Sequence, residues 1–437
     1  KKWMAILLGG IMAASLAAPC SVSAAEKTTL TFWHAMGGTN GEVLQQIVDD
    51  FNASQDEIEI KAEYQGTYDD TITKLKAAMQ SDSGLPDVCQ MYDVGTKFMY
   101  DSGAVIPVED KFESTGYDKS SVMEVISSYY TVDGKQYAMP FNVSTPMLYY
   151  NKDVFEAAGL DPETPPTTYD EVLEDAKKIV ESGAAPVGYS QAIYGWFFEQ
   201  QLAGLGVTYG NNDNGRKEAV TAVDFDSNGG GLKVFDMWKK LYDSGYFEDY
   251  GTTTADTQTA FFSGQVGMII ESTAILKNAV DSSPFEVGTG YLPRIEQNDE
   301  GGVIIGGGSL WLTDTGNEAN EDAAWKFIEY ITTPDVQAKW SMGTGYFAIN
   351  EKAYETDDMK AYLKENPNFE TAINQLKDSP VNANTAGVLS GVQTEARLTF
   401  NELMPQVYEG KITTQEGVDQ LAASVNKAIE NYNESIK

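Results

Sequence analysis

A chain of 437 residues with 65 acidic and 30 basic side chains has a formal net charge of -35, which argues against nucleic acid and anionic membrane surfaces as partners. Its hydrophobic content of 42% and charged content of 22% are those of an ordinary globular protein, and its length exceeds what one core supports, so two or three lobes are expected. An anionic ligand would have to be held by a local site, and the chain offers only three arginines, Arg216, Arg294 and Arg397.

Residues 1–25 read as a secretory signal. Lys1 and Lys2 form a basic start, residues 4–18 an apolar stretch too short to span a membrane, and Ser23-Ala24-Ala25 a small-residue cleavage site. Cys20 raises the rival of lipid attachment, which Pro19 immediately before it disfavours. Cleavage near Ala25 predicts an exported protein, periplasmic or extracytoplasmic. It would keep Cys89 alone and hence no internal disulfide.

Residues 28–33 alternate as a strand, followed by a glycine-rich turn from His34 to Gly41 and a helical stripe at Val43, Leu44, Ile47, Val48 and Phe51. Residues 58–64 form a second strand, 71–79 a helix and 88–92 a third strand. This β-α-β-α-β order is that of a parallel α/β sheet, whose ligands sit beyond the strand carboxyl ends, here at His34, Tyr64 to Tyr68 and Asp93. The glycine-rich turn lacks both the G-x-G-x-x-G spacing and a P-loop lysine, so a nucleotide site is rejected. Met139 to Asp153 pairs a short polar half, pinned by Pro140 and Pro146, with the strand-like run Met147-Leu148-Tyr149-Tyr150. It reads either as an extended crossing between lobes or as an ordinary loop leading into a buried strand.

Further on, Thr168 with Glu171 forms a capping box for a helix over 169–182. Strands are expected at 187–190, 266–270, 285–292 and 303–312, the last interrupted by Gly306, Gly307 and Gly308, which mark a bend or a close backbone approach. Helices are expected at 229–244, 254–263 and 320–332. Gly343-Thr344-Gly345-Tyr346 then presents a tyrosine from a glycine turn, and the remainder is mostly helical with a pause at Gly410. His34, the only histidine, reads as a structural strand-end residue, and Trp340 as core. Asp93 reads as a cap for the following helix, as a ligand contact, or as both.

Several segments in one order, Phe32-Trp33-His34, Tyr64-x-Gly-x-Tyr68, Tyr92-Asp93-Val94-Gly95-Thr96, Pro140-Phe141-Asn142-x-Ser144-Thr145-Pro146, Tyr149 to Asp153, Ile304 to Trp311 and Thr344-Gly345-Tyr346, resemble the periplasmic solute-binding proteins of bacterial ABC importers that carry sugars and glycerol phosphates. The resemblance spans nearly the whole chain after the signal and is strongest to the members that bind glycerol phosphate. It implies an α/β, two-lobed periplasmic-binding-protein fold, a hinged clamp with three interlobe crossings. The expected division is 26–142 and 308–346 for the N-lobe and 143–307 and 347–437 for the C-lobe.

The same resemblance implies a ligand site built from Tyr68, Asp93, Ser144, Trp196, Ser272, Gly307, Tyr346 and Arg397. Arg397 would clamp a phosphate, and Asp93, where the family has glutamate, would accept from glycerol hydroxyls. Where the glycerol-phosphate binders carry a second tryptophan, this chain has Ile193. The expected ligand is therefore sn-glycerol-3-phosphate or a longer glycerophosphodiester such as glycerophosphocholine, whose cationic head an aromatic face would favour. Tyr194 swinging into the gap would favour the monoester. The alternatives are a neutral sugar or oligosaccharide and an exported hydrolase, which would need opposed carboxylates or a His/Asp metal cluster that no motif here supplies. The expected partners are the small organophosphate or sugar and the membrane permease. The expected form is a monomer with no cofactor, no metal and no enzymatic activity.

Overall fold

The computed structural model describes residues 27–81 and 84–436; the signal segment 1–25 with Cys20 lies outside the described residues. Twelve strands occur among them: β1 (Thr28–His34), β2 (Ile58–Tyr64), β3 (Val88–Tyr92), β4 (Val105–Ile106), β5 (Thr131–Val132), β6 (Lys135–Gln136), β7 (Met139–Ser144), β8 (Pro146–Asn151), β9 (Val187–Ser190), β10 (Val266–Ser272), β11 (Val287–Gly290) and β12 (Gly306–Thr313). They make two separate sheets and a small β5–β6 hairpin. The first sheet runs β2-β1-β3-β12-β4, with β7 also paired to β12. The second runs β11-β8-β10-β9.

β1 lies parallel to β2 and β3, as the alternation of strands and amphipathic helices requires. β12 returns antiparallel to β3, β4 and β7. Each sheet is flanked by helices whose apolar stripe faces it, so the fold is a two-lobed α/β clamp. The capping box at Thr168 and Glu171 is formed, and the helix Tyr169–Ser182 buries Tyr169, Val172, Ala176 and Ile179, ending at Gly183 with φ of 77°.

The Met139–Asp153 stretch is not a loop. β7 and β8 are buried along their whole length, belong to different sheets, and are separated by Thr145 alone. The backbones of Thr145 and Thr273 are tied by a 2.8 Å hydrogen bond from the Thr273 N–H. A second passage between sheets is the segment from β11 to β12. A third follows the helix Pro334–Thr344, which packs on the helix Gly38–Ser54, and precedes the helix Asn368–Asp378, which packs on β11. Gln375 joins two of these passages: its amide donates to Pro146 O at 2.7 Å and its carbonyl accepts from Leu292 N–H.

The triple glycine belongs to β12 rather than breaking it, and Val303 to Ile305 precede the strand. Gly307 has φ of 93°, and a Cβ there would sit 1.8 Å from the Asn142 carbonyl oxygen. A bulge in the β7–β12 pairing follows between Gly308 and Ser309. Close backbone approach is what these glycines permit. No helix among the described residues is long and apolar enough to cross a membrane.

Candidate functional site

From the first lobe, Tyr68 opens the helix Tyr68–Met79, Asp93 follows the carboxyl end of β3, Ser144 closes β7, Gly307 lies in β12 and Tyr346 follows the helix Pro334–Thr344. From the second, Ser272 closes β10, Ile193 and Trp196 flank the start of the helix Gly195–Gly204, and Arg397 sits one turn into the helix Gln393–Tyr408. All of these positions except Ile193, which is buried in the second lobe's core, lie along the meeting of the two lobes. Ser144 pairs with Gly306, and Ser272 with Pro146. A Cβ on Gly306 would stand 2.6 Å from the Trp196 ring, and one on Gly195 2.6 Å from Arg397 Cα.

A polar relay supports the first-lobe side. Gln90 in β3 accepts from Ala35 N–H and donates to Asn142 Oδ1 at 2.7 Å, and Asn142 Nδ2 donates to the Tyr68 hydroxyl at 2.7 Å. The Tyr346 phenol stands by Tyr68 and Asn142; burial raises its pKa while those neighbours oppose the shift. Tyr68 stacks on Tyr92 at 5.1 Å and 8°, and Tyr346 on Trp340 at 5.6 Å and 11°. Each hydrogen-bonded group arrives with its orientation already fixed.

The second-lobe side centres on Arg397, whose side chain is 9% exposed. Its Nε donates to Glu199 Oε1 at 2.8 Å and its Nη2 to Glu199 Oε2 at 2.7 Å, while Nη2 also reaches Asp93 Oδ2 at 2.9 Å across the lobes. Gln393 adds a 2.9 Å bond to Glu199. Burial pushes the Glu199 carboxyl upward against the pull of Arg397, and the two carboxylates hold the guanidinium fully charged. Among the described residues Nη1 has no hydrogen-bond partner, and Trp196 Nε1 is buried without one.

Asp93 therefore does not cap the next helix; its carboxylate faces Arg397, and the turn is secured by Thr96 Oγ1 on the Asp93 carbonyl. Ile193 has no exposed surface and packs in the second lobe's core, whereas Tyr194 is partly exposed. The Tyr194 ring lies 6.1 Å from Trp196. Burial raises its phenol to about 12, with Arg397 opposing. Ser272 accepts from Ala274 N–H. His34 is buried, its Nδ1 accepting from Met36 N–H, and desolvation lowers its pKa to about 4. Trp340 and Cys89 are fully buried, as the sequence suggests.

Sequence reasoning missed Glu199, Gln393 and Gln90. A faint signal existed for Glu199, three residues after Trp196 and so on the same helix face. Asp93 and Glu199 are the opposed carboxylates a hydrolase would need, but the Arg397 guanidinium lies between them and pairs with both. Among the described residues no group of three or more His, Cys, Asp or Glu side chains could hold a metal. A groove of about 690 Å³ runs along the cleft edge between Tyr92 and Phe98 on one side and Leu398 and Tyr432 on the other. A separate cavity of about 530 Å³ lies beside the crossings, among Pro165, Tyr291, Arg294 and Gln375.

Residues 46–371 match the family described as bacterial extracellular solute-binding protein. The chain belongs to this family. Its members bind small solutes outside the cell membrane, hand them to ABC importers and are not enzymes. The sn-glycerol-3-phosphate-binding periplasmic protein UgpB of Escherichia coli strain K12 is 30% identical over 417 residues, 94% of each chain. UgpB from Mycobacterium tuberculosis, solved in complex with glycerophosphocholine, superposes with a TM-score of 0.79 at 20% identity, over 93% of this chain and 100% of that one. The cyclic α-maltosyl-1,6-maltose binding protein of Arthrobacter globiformis gives 0.77 at 26%, over the same shares. The two solved structures share the fold described above.

Proposed function

We propose that this family member captures a glycerol phosphate group, as sn-glycerol-3-phosphate or as a glycerophosphodiester such as glycerophosphocholine, in the cleft between its lobes. It then presents the closed complex to its permease, acting as an exported monomer without chemistry on the ligand. The observation that carries this reading is the buried Arg397 guanidinium, which keeps Nη1 without a protein partner at the lobe interface. A phosphate oxygen accepts from such a donor in a charge-assisted bond. The reading assigns the Ser144 and Ser272 hydroxyls, the Tyr346 phenol and the Gly307 backbone to the other phosphate oxygens, and Asp93 and Tyr68 to glycerol hydroxyls. The name of the Escherichia coli relative supports the same ligand class.

The Tyr194 ring beside Trp196 fills space next to the indole, which by the expectation above favours the monoester, while the two aromatic faces together suit the quaternary ammonium of a diester. A neutral oligosaccharide is the second reading, favoured by the stacked Tyr68 and Tyr92 pair and by the buried carboxylates. Calorimetric titration with glycerol-3-phosphate, glycerophosphocholine and maltose decides between them. Phosphate ligands bind and Arg397→Ala abolishes that binding, while Trp196→Ala weakens the diester more than the monoester. Binding of maltose alone, indifferent to Arg397, refutes the phosphate reading.

A further inference from the structure

Arg397 makes more hydrogen bonds to Glu199 than to any other residue. Glu199 occupies the whole Nε–Nη2 edge of the guanidinium, and Asp93 takes Nη2 from across the cleft. The guanidinium therefore cannot offer a two-nitrogen fork to a ligand, and Nη1 is its one nitrogen without a hydrogen bond among the described residues. One positive group stands between two carboxylates, each less than a tenth exposed, so the triad carries a formal charge of -1. A site meant for a dianion would be expected to carry surplus positive charge, and this one carries the opposite.

Resting on the glycerol phosphate reading, we infer that Glu199 is a positioning residue that sets charge selectivity. It fixes Arg397 with Nη1 toward the ligand and makes the site accept a phosphate bearing one negative charge over a phosphate bearing two. A phosphodiester, above all one with a cationic head, satisfies that requirement at every physiological pH. A phosphomonoester satisfies it only when singly ionised, because its second proton leaves near pH 6. The charged and titratable groups facing Arg397 and Glu199 are Asp93, Tyr129, Tyr194 and Tyr209, with Glu271 near Tyr194. The tyrosines stay protonated and His34 stays neutral throughout the pH range at issue. A second negative charge some 5–6 Å from an uncompensated carboxylate at an effective dielectric near 20 weakens binding by roughly 100- to 300-fold.

The test is titration calorimetry of the wild-type protein with glycerol-3-phosphate and with glycerophosphocholine at pH 5 and pH 8, repeated on Glu199→Gln and Glu199→Asp. The diester phosphate does not titrate in this range, so it registers any change that comes from the protein's own carboxylates. In the wild type the monoester is expected to lose at least about tenfold in affinity from pH 5 to pH 8 relative to the diester. Glu199→Gln removes most of that difference, and Glu199→Asp, which keeps the charge, restores it. Equal or tighter monoester binding at pH 8 overturns the inference in the wild type alone, whether or not the variants fold. A Glu199→Gln variant that weakens both ligands equally at both pH values also overturns it, leaving Glu199 a purely structural residue. Binding of neither phosphate at any pH, with maltose bound, overturns the glycerol phosphate reading itself and is a distinct result.

Discussion

Removing Arg397 should damage the protein before any ligand is added. Glu199 and Asp93 side chains are 8% and 7% exposed, and both are paired to the same guanidinium. In Arg397→Ala the two carboxylates lose that partner, but their fates differ. Asp93 lies on the other lobe and is rehydrated when the lobes part. Glu199 lies in the helix Gly195–Gly204, packed against the helix Gln393–Tyr408 within one lobe, and keeps only Gln393. Breaking a buried ion pair by deleting one partner costs about 3–5 kcal/mol, and the Glu199 share alone is about 3 kcal/mol. For lobes of this size that lowers the melting temperature by about 6–12 °C.

The loss depends on pH with a definite sign. Burial already raises the Glu199 pKa in the folded protein, and removing Arg397 raises it further. An acid whose folded pKa exceeds its unfolded value destabilises progressively as pH rises from the unfolded pKa through the folded one. The melting deficit of Arg397→Ala is therefore expected to be largest at pH 8 and to shrink toward pH 4.5. The double variant Arg397→Ala, Glu199→Gln removes the stranded charge and should recover most of the deficit at pH 8. Calorimetric melts of the ligand-free proteins at the two pH values measure all of this. A single variant melting within about 1 °C of wild type at pH 8, or a double variant no better than the single, would refute the argument that a buried carboxylate is left unpaired.

Gly307→Ala places a Cβ 1.8 Å from the Asn142 carbonyl oxygen at a φ of 93°, so a loss of about 3 kcal/mol or more in urea unfolding is expected. Gln375→Leu leaves Leu292 N–H and Pro146 O without the partner that joins two crossings; a loss of about 2 kcal/mol is expected in the same assay, together with altered ligand affinity by calorimetry. Cys89 is fully buried and its thiol is lifted to about 12, so a thiol-reactive chromophore at pH 8 should modify it only after the protein is unfolded.

Local chemistry explains what the sequence made legible. Alternation over 28–33 and the stripe from Val43 to Phe51 fold as read, because burial on one face needs no knowledge of distant partners. Three glycines in a strand pointed to a close approach, and Gly307 meets β7 there. What stayed hidden was pairing at a distance. Glu199 is 198 residues from Arg397 and Asp93 is 304 residues from it, so nothing local shows that these carboxylates share one guanidinium, even though Asp93 at a strand's carboxyl end was already a site candidate. For the same reason Asp93 read equally well as a helix cap, a role the structure gives to backbone and to Thr96. Thr145 as the point of passage was blurred by the two prolines, which mark extended backbone but not which sheet each half joins.

Several polar contacts bridge the lobes, among them Arg216 Nη1 donating to Tyr129 O at 2.8 Å. Besides Asp93 with Arg397, the Tyr92 hydroxyl meets Thr394 Oγ1 at 2.7 Å and the Tyr432 hydroxyl donates to Asp101 at 2.7 Å. These groups regain water once the lobes part, so the Tyr92–Thr394 contact contributes only about 0.5–1.5 kcal/mol to closure and the two bonds to carboxylates about 1.5–3 kcal/mol each. Shifting a clamp from mostly open to mostly closed needs about 5.5 kcal/mol of differential binding. A ligand supplies that only by touching both lobes at once, and the geometry places Tyr68 and Asp93 on one side and Arg397 and Trp196 on the other. Glu199 enters here because its bonds to Arg397 lie within one lobe and do not depend on closure. Those bonds need no contact from the other lobe, so a ligand that closes the cleft need not itself order the guanidinium, and its binding free energy is left for the movement of the lobes.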